Sequence, residues 1–498
     1  MNADRPSAAE ASRVRRARNH LYAQARGERA GVYYVTGNYD RAIADIKSLL
    51  RFYKRKFPPA YPVVASLLVR LAEYIVRGQA DYAKAQRIIS NVIHNITVHD
   101  HPELYARICE SRGLIYYYRA RYGRALKYYR RALQIYDQLH DKINGCKMTG
   151  TIGLLHKIQG NSTLAMKFFK KFLALSEKLG NKNLINSACG FIGSLYRIMG
   201  RLSLSLIYLK RNLALSQELG DRSELQTALN NIGNTYLTGG DLNLALYYYQ
   251  RSLPRAKEKG QQRSLAILYE NMGVAYQEKG EVNRALWFIK ESISIAQGIG
   301  ARDILGIACL HKGAICASQN KIKAAEKYLK EAGDIFAVTG NKLDLSELYD
   351  TYSDLNFIKK RFSQAVNWAI KSLAIARASK SKDQELMALR SLGKTLFSKV
   401  HLAHRGRPVK KYIKGVKQAV SYLERSIALA RKQEMRLEMA KSYYELANLY
   451  AGVDASRAYV RKAGAYLSEA EKIFNKTGAN IWLQKTRSLR SVIRYPGP

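Results

Sequence analysis

One glycine recurs every 40 residues through most of this chain of 498 residues. The copies are Gly113, Gly153, Gly193, Gly233, Gly273, Gly313 and Gly393, with Ser353 in the one remaining place. Twelve residues after each of these positions except Gly393 comes a small residue, in the series Ala125, Ala165, Ser205, Ala245, Ala285, Ala325 and Ala365. Three residues further comes a large ring, in the series Tyr128, Phe168, Tyr208, Tyr248, Phe288, Tyr328 and Trp368. A strict period of this length predicts a row of equal repeats, because each repeat buries its apolar face only against its neighbours.

Further glycines occupy two fixed places in the repeat and mark the ends of helices. One column is Gly160, Gly200, Gly240 and Gly280, continued by Asn320 and Lys360. The other column is Gly180, Gly220, Gly260, Gly300 and Gly340. Each repeat is therefore predicted to be helix, turn, helix, turn. The predicted fold is all-α, a right-handed α-solenoid (superhelix) of about eleven helix pairs.

Weaker copies of the pattern extend the array in both directions. We expect a flexible basic N-terminus over residues 1–19, divergent repeats over 20–97 and the regular array over 98–398. A basic insertion over 399–417 then lengthens the spacing, since Gly393 and Ala419 are 26 residues apart where other repeats have 12. The last predicted segments are C-terminal repeats over 418–476 and a capping helix with a tail over 477–498. A capping helix is expected because a solenoid must cover its last apolar face.

The offsets of small residue, glycine, tyrosine, alanine and aromatic are complete in the segment from Ala228 to Leu253, ALNNIGNTYLTGGDLNLALYYYQRSL. This pattern resembles the tetratricopeptide repeat (TPR), in the 40-residue variety similar to Leu-Gly-Asn repeat proteins, kinesin light chains and bacterial TPR regulators. The resemblance covers nearly the whole chain. It implies that the first helix of each repeat lines a concave groove, and that the protein is a scaffold or adaptor that binds a partner there.

Polar side chains near the repeat glycine are the candidates for that groove. Asn230 and Asn234 are one helical turn apart, so their amides are suited to hold an extended peptide backbone, although a solvated helix face is the other interpretation. The candidate peptide-binding residues are Arg107, Lys147, Lys157, Arg197, Asn230, Asn234 and Asn271. Because the first four are basic, the predicted ligand is a peptide with an acidic segment.

The charge of the whole chain leaves other partners open. Lysine and arginine outnumber aspartate and glutamate by 83 to 39, a formal net charge of +44 that attracts nucleic acid, anionic membrane or acidic protein alike. The second helix of each repeat and the insertion supply candidate polyanion-binding residues: Arg130, Arg131, Lys170, Lys171, Lys210, Arg211, Arg251, Lys410, Lys411 and Lys414. This basic ridge favours an alternative function in binding nucleic acid or a ribosome, unless it is a solvated outer face. A third alternative is a bacterial-type regulator that senses a short peptide.

Motifs of catalysis do not occur in the sequence. It contains no phosphate-binding glycine loop, nucleophile elbow or HExxH motif, so we expect no enzyme activity, no cofactor and no metal. The cluster of His94, His99 and His101 is typical of an interhelical turn. The five widely spaced cysteines show no disulfide pattern, which indicates a reducing, cytoplasmic location. No apolar run reaches the length of a membrane helix.

Overall fold

The computed structural model describes residues 8–35, 39–56, 61–78, 81–119, 121–257, 262–404, 412–453 and 457–493. Every regular element in these ranges is an α-helix. The contacts divide the chain into an N-terminal unit, residues 1–148 with 258–262, and a C-terminal unit, residues 149–257 with 263–498. Within each unit successive helices pack as antiparallel pairs, which confirms the predicted all-α solenoid.

The helices follow the predicted alternation of first and second helix in each repeat. The N-terminal unit contains α1 (Ala8–Val35), α2 (Tyr39–Lys56), α3 (Tyr61–Gly78), α4 (Tyr82–Ile93), α5 (Pro102–Tyr118) and α6 (Tyr122–Gln138). Helix α7 (Lys142–Ile158) crosses the division between the units. The next helices are α8 (Ser162–Lys178), α9 (Lys182–Ile198), α10 (Leu202–Glu218), α11 (Arg222–Gly239), α12 (Leu242–Ala256), α13 (Gln262–Lys279), α14 (Val282–Gly298) and α15 (Arg302–Ser318). The last are α16 (Ile322–Thr339), α17 (Lys342–Ile358), α18 (Phe362–Ala378), α19 (Lys382–Ala403), α20 (Ile413–Lys432), α21 (Arg436–Val453), α22 (Arg457–Thr477) and α23 (Asn480–Val492).

Two segment boundaries differ from the sequence prediction. Helix α1 begins at Ala8, so residues 8–19 are helical where a flexible N-terminus was expected. The alanines, glutamate and arginines of this stretch are good helix formers, which explains the difference. The basic insertion is partly helical, because α19 extends to Ala403 and α20 begins at Ile413. Its residues 405–411 lie outside the described part of the chain.

The repeat glycine is required by a close approach between the two helices of a pair. A Cβ atom at Gly233 would lie 2.5 Å from the ring of Tyr249 and 3.2 Å from the carbonyl oxygen of Ala245. The predicted small residue, here Ala245, is fully buried. The side chain that fills the space at the glycine follows sixteen residues later, one position after the predicted ring. The same contact joins Gly113 to Tyr129, Gly153 to Phe169, Gly273 to Ile289 and Gly313 to Leu329.

The predicted ring has a different partner, on the first helix of its own repeat. Tyr236 on α11 and Tyr248 on α12 stack with ring centroids 5.5 Å apart. Equivalent pairs are Tyr116 with Tyr128, His156 with Phe168, Tyr196 with Tyr208 and Tyr276 with Phe288, at 5.3 to 5.6 Å. Such offset or stacked pairs add to the stability that burial alone provides. His156 stands where the other four pairs have a tyrosine, and it keeps the aromatic contact.

Both columns of turn glycines have the left-handed backbone that glycine favours, but their surroundings differ. The first column has φ from 73° to 88° at its glycines, and Asn320 and Lys360 continue it with φ of 59° and 58°. The second column has φ from 62° to 65° at Gly180, Gly220, Gly300 and Gly340, and Gly260 lies outside the described residues. A Cβ at Gly180, Gly220 or Gly340 would meet no atom within 4 Å.

A Cβ in the first column would instead meet a distant part of the C-terminal unit. The four contacts join Gly160 to Ser379, Gly200 to Gln433, Gly240 to Leu437 and Gly280 to Ile481. Hydrogen bonds join the same distant segments. Lys380 donates to Thr163, 217 residues away, and Ser203 donates to Glu434, 231 residues away, at 2.8 Å. The helix pairs of the C-terminal unit therefore wind far enough that its early turns pack against its late helices.

Candidate peptide-binding groove

The predicted groove residues of the C-terminal unit lie on consecutive first helices. Lys157 is near the end of α7, Arg197 near the end of α9, Asn230 and Asn234 on α11, and Asn271 on α13. Lys157 and Arg197 share one position of the 40-residue register, and the three asparagines occupy three other positions. The structure brings Lys157 near the charge of Arg197 and Asn271 into hydrogen-bond contact with Asn230.

Lys157 and Arg197 form a pair of cations with neutral partners. The Lys157 ammonium donates to the hydroxyl of Ser194 at 2.9 Å, and Arg197 Nη1 contacts the hydroxyl of Thr238 at 3.4 Å. Burial, and then the nearby Arg197 charge, lower the pKa of Lys157 to about 8. Neither cation has a carboxylate partner in the described part of the chain. The ends of α7 and α9 therefore hold two neighbouring cations that form no ion pair among the described residues, and Arg197 also lies close enough to Asp383 on α19 to stabilise its carboxylate.

The asparagines already form part of a hydrogen-bond network. Asn271 Nδ2 donates to Asn230 Oδ1 at 3.0 Å, and the hydroxyl of Tyr249 donates to Asn234 Oδ1 at 2.6 Å. These contacts fix both amides with their oxygens turned towards protein donors. The Nδ2 groups of Asn230 and Asn234 form no hydrogen bond with the residues that the structure describes, so each offers a donor of the kind that a peptide carbonyl accepts.

Further along the array the first helices carry acidic groups. His311 on α15 lies between two carboxylates, with Nδ1 2.7 Å from Glu270 and Nε2 3.0 Å from Glu347. Burial alone would lower the pKa of His311, but the two glutamates outweigh it and raise it to about 10. Asp350 on α17 is buried, and burial together with the charge of Asp354 raises its pKa to about 7. The first helices are therefore basic at α7 and α9, whereas α13 and α17 carry the carboxylates Glu270, Glu347 and Asp350.

A network of buried ion pairs lies on α13, α17, α19 and α21. Lys394 donates to Asp354 at 2.7 Å, and Arg390 pairs with Glu438. Lys441, only 5% exposed, lies 2.8 Å from both Glu278 and Glu438. Arg390 and Lys394 were not among the groove residues predicted from the sequence. They nevertheless have the same offsets from Gly393 as Asn230 and Asn234 have from Gly233. Extending those two columns by further repeats would have found them.

The remaining predicted peptide-binding residues belong to the N-terminal unit. Arg107 on α5 lines an open cleft of about 930 Å³ beside α1, α2, α3 and α5, and its Nη1 donates to Ser66 at 3.1 Å. Arg70 lines the same cleft. Lys147 is exposed on α7. These two predicted residues therefore do not share the arrangement of Lys157 and Arg197.

The candidate polyanion-binding residues lie on the outer side of the second helices. Arg130 and Arg131 are exposed on α6, and Lys414 is exposed on α20. In the C-terminal unit the exposed members are Lys170, Lys171, Lys210, Arg211 and Arg251, on α8, α10 and α12. Lys410 and Lys411 lie outside the described residues.

The histidine and cysteine positions show no metal-binding or reactive arrangement in the described ranges. His94 ends α4 and His101 precedes α5, as the interhelical turn predicts. No group of three or more metal-ligating side chains comes together among the residues that the structure describes. All five cysteines are buried, and burial raises the pKa of Cys109 to about 11. Among the described helices, none combines the length and hydropathy that a membrane span requires.

Comparisons with known proteins identify repeats in the same part of the chain. Two family models of the tetratricopeptide repeat match residues 106–141 and 184–258, which contain three of the five ring pairs and two of the five glycine contacts described above. The chain contains tetratricopeptide repeats in these two ranges. No curated protein sequence matches this chain.

One of three solved structures compared with the chain has a similar fold over a larger part of it. A Rap protein complexed with the Competence and Sporulation Factor has a TM-score of 0.57 at 12% identity, covering 72% of this chain and 98% of its own. NprR in complex with its cognate peptide NprX has a TM-score of 0.49 at 16% identity, covering 71% and 99%. The apo form of RapI has a TM-score of 0.45 at 14% identity, covering 55% and 98%. At these identities the likeness concerns the fold alone.

Proposed function

We propose that this protein is a non-catalytic scaffold that binds an extended, acidic peptide segment in the groove of its C-terminal unit. The observation that carries the proposal is the pair of neighbouring cations, Lys157 and Arg197, whose hydrogen-bond partners are hydroxyl groups. A partly buried ammonium beside a guanidinium is costly in the free protein, and a bound carboxylate reduces that cost. The lowered pKa of Lys157 is the expected sign of this imbalance.

The asparagines give the proposal its second part. Asn230 and Asn234 present amide donors one helical turn apart on α11, next to the helix that carries Arg197. An extended peptide has unpaired carbonyls along its backbone, so two such donors hold it without regard to its side chains. The ligand is then a segment with an acidic residue at α7 and α9 and its backbone over α11.

The comparison with Rap agrees with this use of the fold. That protein, of similar fold over 72% of this chain, was crystallised with the Competence and Sporulation Factor bound. The identity of 12% carries over no residue role, so the assignment of Lys157, Arg197, Asn230, Asn234 and Asn271 depends on the contacts of this chain alone.

The test compares two pools of fluorescein-labelled nonapeptides, N-acetylated and C-amidated, random at seven positions. The Glu-pair pool has two adjacent glutamates fixed at the centre, and the Gln-pair pool has two glutamines there. Fluorescence anisotropy should show that the Glu-pair pool binds about 10-fold or more tightly, because a charged hydrogen bond contributes about 1.5–3 kcal/mol.

Variants locate the binding within the groove. Lys157→Met removes the charge at nearly constant shape and should weaken the Glu-pair pool about 10- to 100-fold. Asn234→Leu should weaken both pools, since it removes a contact to the backbone. Lys178→Met, at an exposed lysine of α8 outside both sets of candidate binding residues, is the matched control and should change neither affinity. Equal binding of both pools, or an affinity that Lys157→Met leaves unchanged, would contradict the proposal.

A further inference from the structure

A row of large apolar side chains is exposed on the outer side of the C-terminal unit. We call it the outer apolar row; it comprises Leu164, Ile207, Leu244, Tyr247 and Trp287, which are 38% to 62% exposed. Ile207, Tyr247 and Trp287 occupy the same register position on α10, α12 and α14, and Leu164 and Leu244 share another on α8 and α12. The two positions are three residues apart and therefore lie on the same helix face.

The fold does not require apolar residues at these positions. Lys167 on α8 and Lys327 on α16 have the same register as Ile207, and both are exposed. A lysine is thus compatible with the packing of the repeat. The exposed apolar residues of this row lie on second helices of neighbouring repeats, and a concentration of exposed apolar side chains is typical of interaction sites on soluble proteins.

Basic residues flank the row one helical turn further along the same helices. We call them the outer basic row: Lys170, Lys171, Lys210, Arg211, Arg251 and Lys290. Arg211 pairs with Glu177 at 2.9 Å, and Arg251 lies over the ring of Tyr247 at 5.6 Å. The four lysines form no ion pair within the described part of the chain. One register position is basic on α8, α10 and α12, as Lys171, Arg211 and Arg251. On α14 the same position is the acidic Glu291.

The combination identifies the chemistry of the partner. We propose that the outer apolar row and the outer basic row together bind an amphipathic α-helix of a partner protein, with acidic residues along one edge of its apolar stripe. The basic row supplies the charge complementarity, and exposed tyrosine and tryptophan are the side chains that most often dominate such contacts. Three of the five apolar residues are aliphatic and offer no ring on which a nucleic-acid base stacks, so the row favours an apolar protein surface.

This surface is separate from the groove and does not depend on the function proposed above. The groove lies on first helices of the repeats, whereas both outer rows lie on second helices α8, α10, α12 and α14. A scaffold with two such faces holds two partners at once. The two bindings are therefore measured independently.

The experiment uses the full-length protein and three fluorescent probes. The first is a 21-residue helical peptide of leucine and glutamate with the leucines in one stripe, the second has the same composition with the leucines scattered, and the third is a 20-nucleotide poly-U RNA. Anisotropy at about 150 mM salt should show micromolar binding of the striped peptide, with the scattered peptide at least about 10-fold weaker.

Variants separate the surface from general attraction to a cationic protein. Tyr247→Ser and Trp287→Ser should each weaken the striped peptide about 10-fold or more, and Lys210→Glu should weaken it as well. Ile370→Ser is the matched control, because Ile370 is 50% exposed on α18 outside both rows, and it should have no effect. A thermal melt of each variant checks that it remains folded.

Three outcomes would overturn the proposal. They are equal binding of the striped and scattered peptides, no binding of the striped peptide at about 100 μM, and indifference to Tyr247→Ser and Trp287→Ser in folded protein. Tighter binding of poly-U than of the striped peptide, lost in the same two variants, would show that the surface binds nucleic acid instead.

Discussion

Ser353 donates a hydrogen bond from its Oγ to the backbone carbonyl of Ala365 at 2.9 Å. In other regular repeats a glycine stands at this position against a large side chain; at Gly273 an added Cβ would lie 2.6 Å from Ile289. Sixteen residues after Ser353 comes the fully buried Ala369 in place of that large side chain. The serine is therefore tolerated because its neighbour is small.

The presence of Ser353 with Ala369, where other repeats have a glycine with a large side chain, predicts an energetic coupling between Gly273 and Ile289. Gly273→Ser should lower the free energy of unfolding by about 1–3 kcal/mol through overpacking, and Ile289→Ala by about 2–5 kcal/mol through a cavity. The double variant should lose at least about 1 kcal/mol less than the sum, because each change relieves the other. Urea unfolding followed by circular dichroism measures all three. Gly298→Ser, where a Cβ meets nothing within 4 Å, is the control, and strict additivity would contradict the packing described.

The winding of the C-terminal unit predicts different costs at two turn glycines. Gly240→Ala and Gly220→Ala both place a side chain at positive φ, 87° and 64°, which costs about 1 kcal/mol. The Cβ at Gly240 would also lie 2.6 Å from Leu437 Cβ and 2.8 Å from its backbone nitrogen. We expect Gly240→Ala to cost about 1–3 kcal/mol more in urea unfolding. Equal costs would show that this contact does not form in solution.

The ion-pair network predicts a large effect at Lys441. Lys441→Met leaves Glu278 and Glu438 without this buried cation and should lower the free energy of unfolding by about 3–5 kcal/mol. Lys472 also pairs with a glutamate three residues before it, Glu469, but its side chain is 73% exposed. Lys472→Met should therefore change the free energy by no more than about 1 kcal/mol. Similar losses in the two variants, measured by urea unfolding, would be evidence against a buried network.

His311 predicts a dependence of stability on pH. Its pKa is raised from 6.5 to about 10 in the folded protein, so its contribution is complete below pH 6.5 and is lost as the pH rises through 10. The difference in unfolding free energy between the wild type and His311→Gln should thus shrink steadily from pH 6.5 to pH 10. A difference that stays constant over this range would mean that Glu270 and Glu347 do not hold the charged imidazole.

Local periodicity made the repeat packing predictable from the sequence. The glycine column, the small residues and the rings follow one 40-residue register, and the turn positions at Asn320 and Lys360 were found by register without glycine. The sequence pattern is marked by the ring fifteen residues after the glycine, whereas in the structure the residue after that ring contacts the glycine. Helical rotation decides between such neighbours, and periodicity alone does not report it.

Contacts between distant repeats were not predictable in this way. The meeting of Gly240 with Leu437 depends on how far each repeat turns relative to the last, a small angle that accumulates over many repeats. The network around Lys441 depends on the same accumulated angle, because Glu278 is 163 residues away. The candidate groove was predictable only in part. Its residues were found by register, but the hydrogen bond from Lys157 to Ser194 was not.

The most direct test of the proposed function is the pKa of Lys157 with and without peptide. Protein labelled with ¹³C and ¹⁵N on lysine is titrated by NMR, and the Lys157 signal is assigned by its absence from the Lys157→Arg variant. The pKa should be about 8 in the free protein and should rise towards its ordinary value of about 10.4 with a saturating Glu-pair pool, because a bound carboxylate stabilises the ammonium. A pKa that the Glu-pair pool leaves unchanged would contradict the binding of an acidic peptide at Lys157.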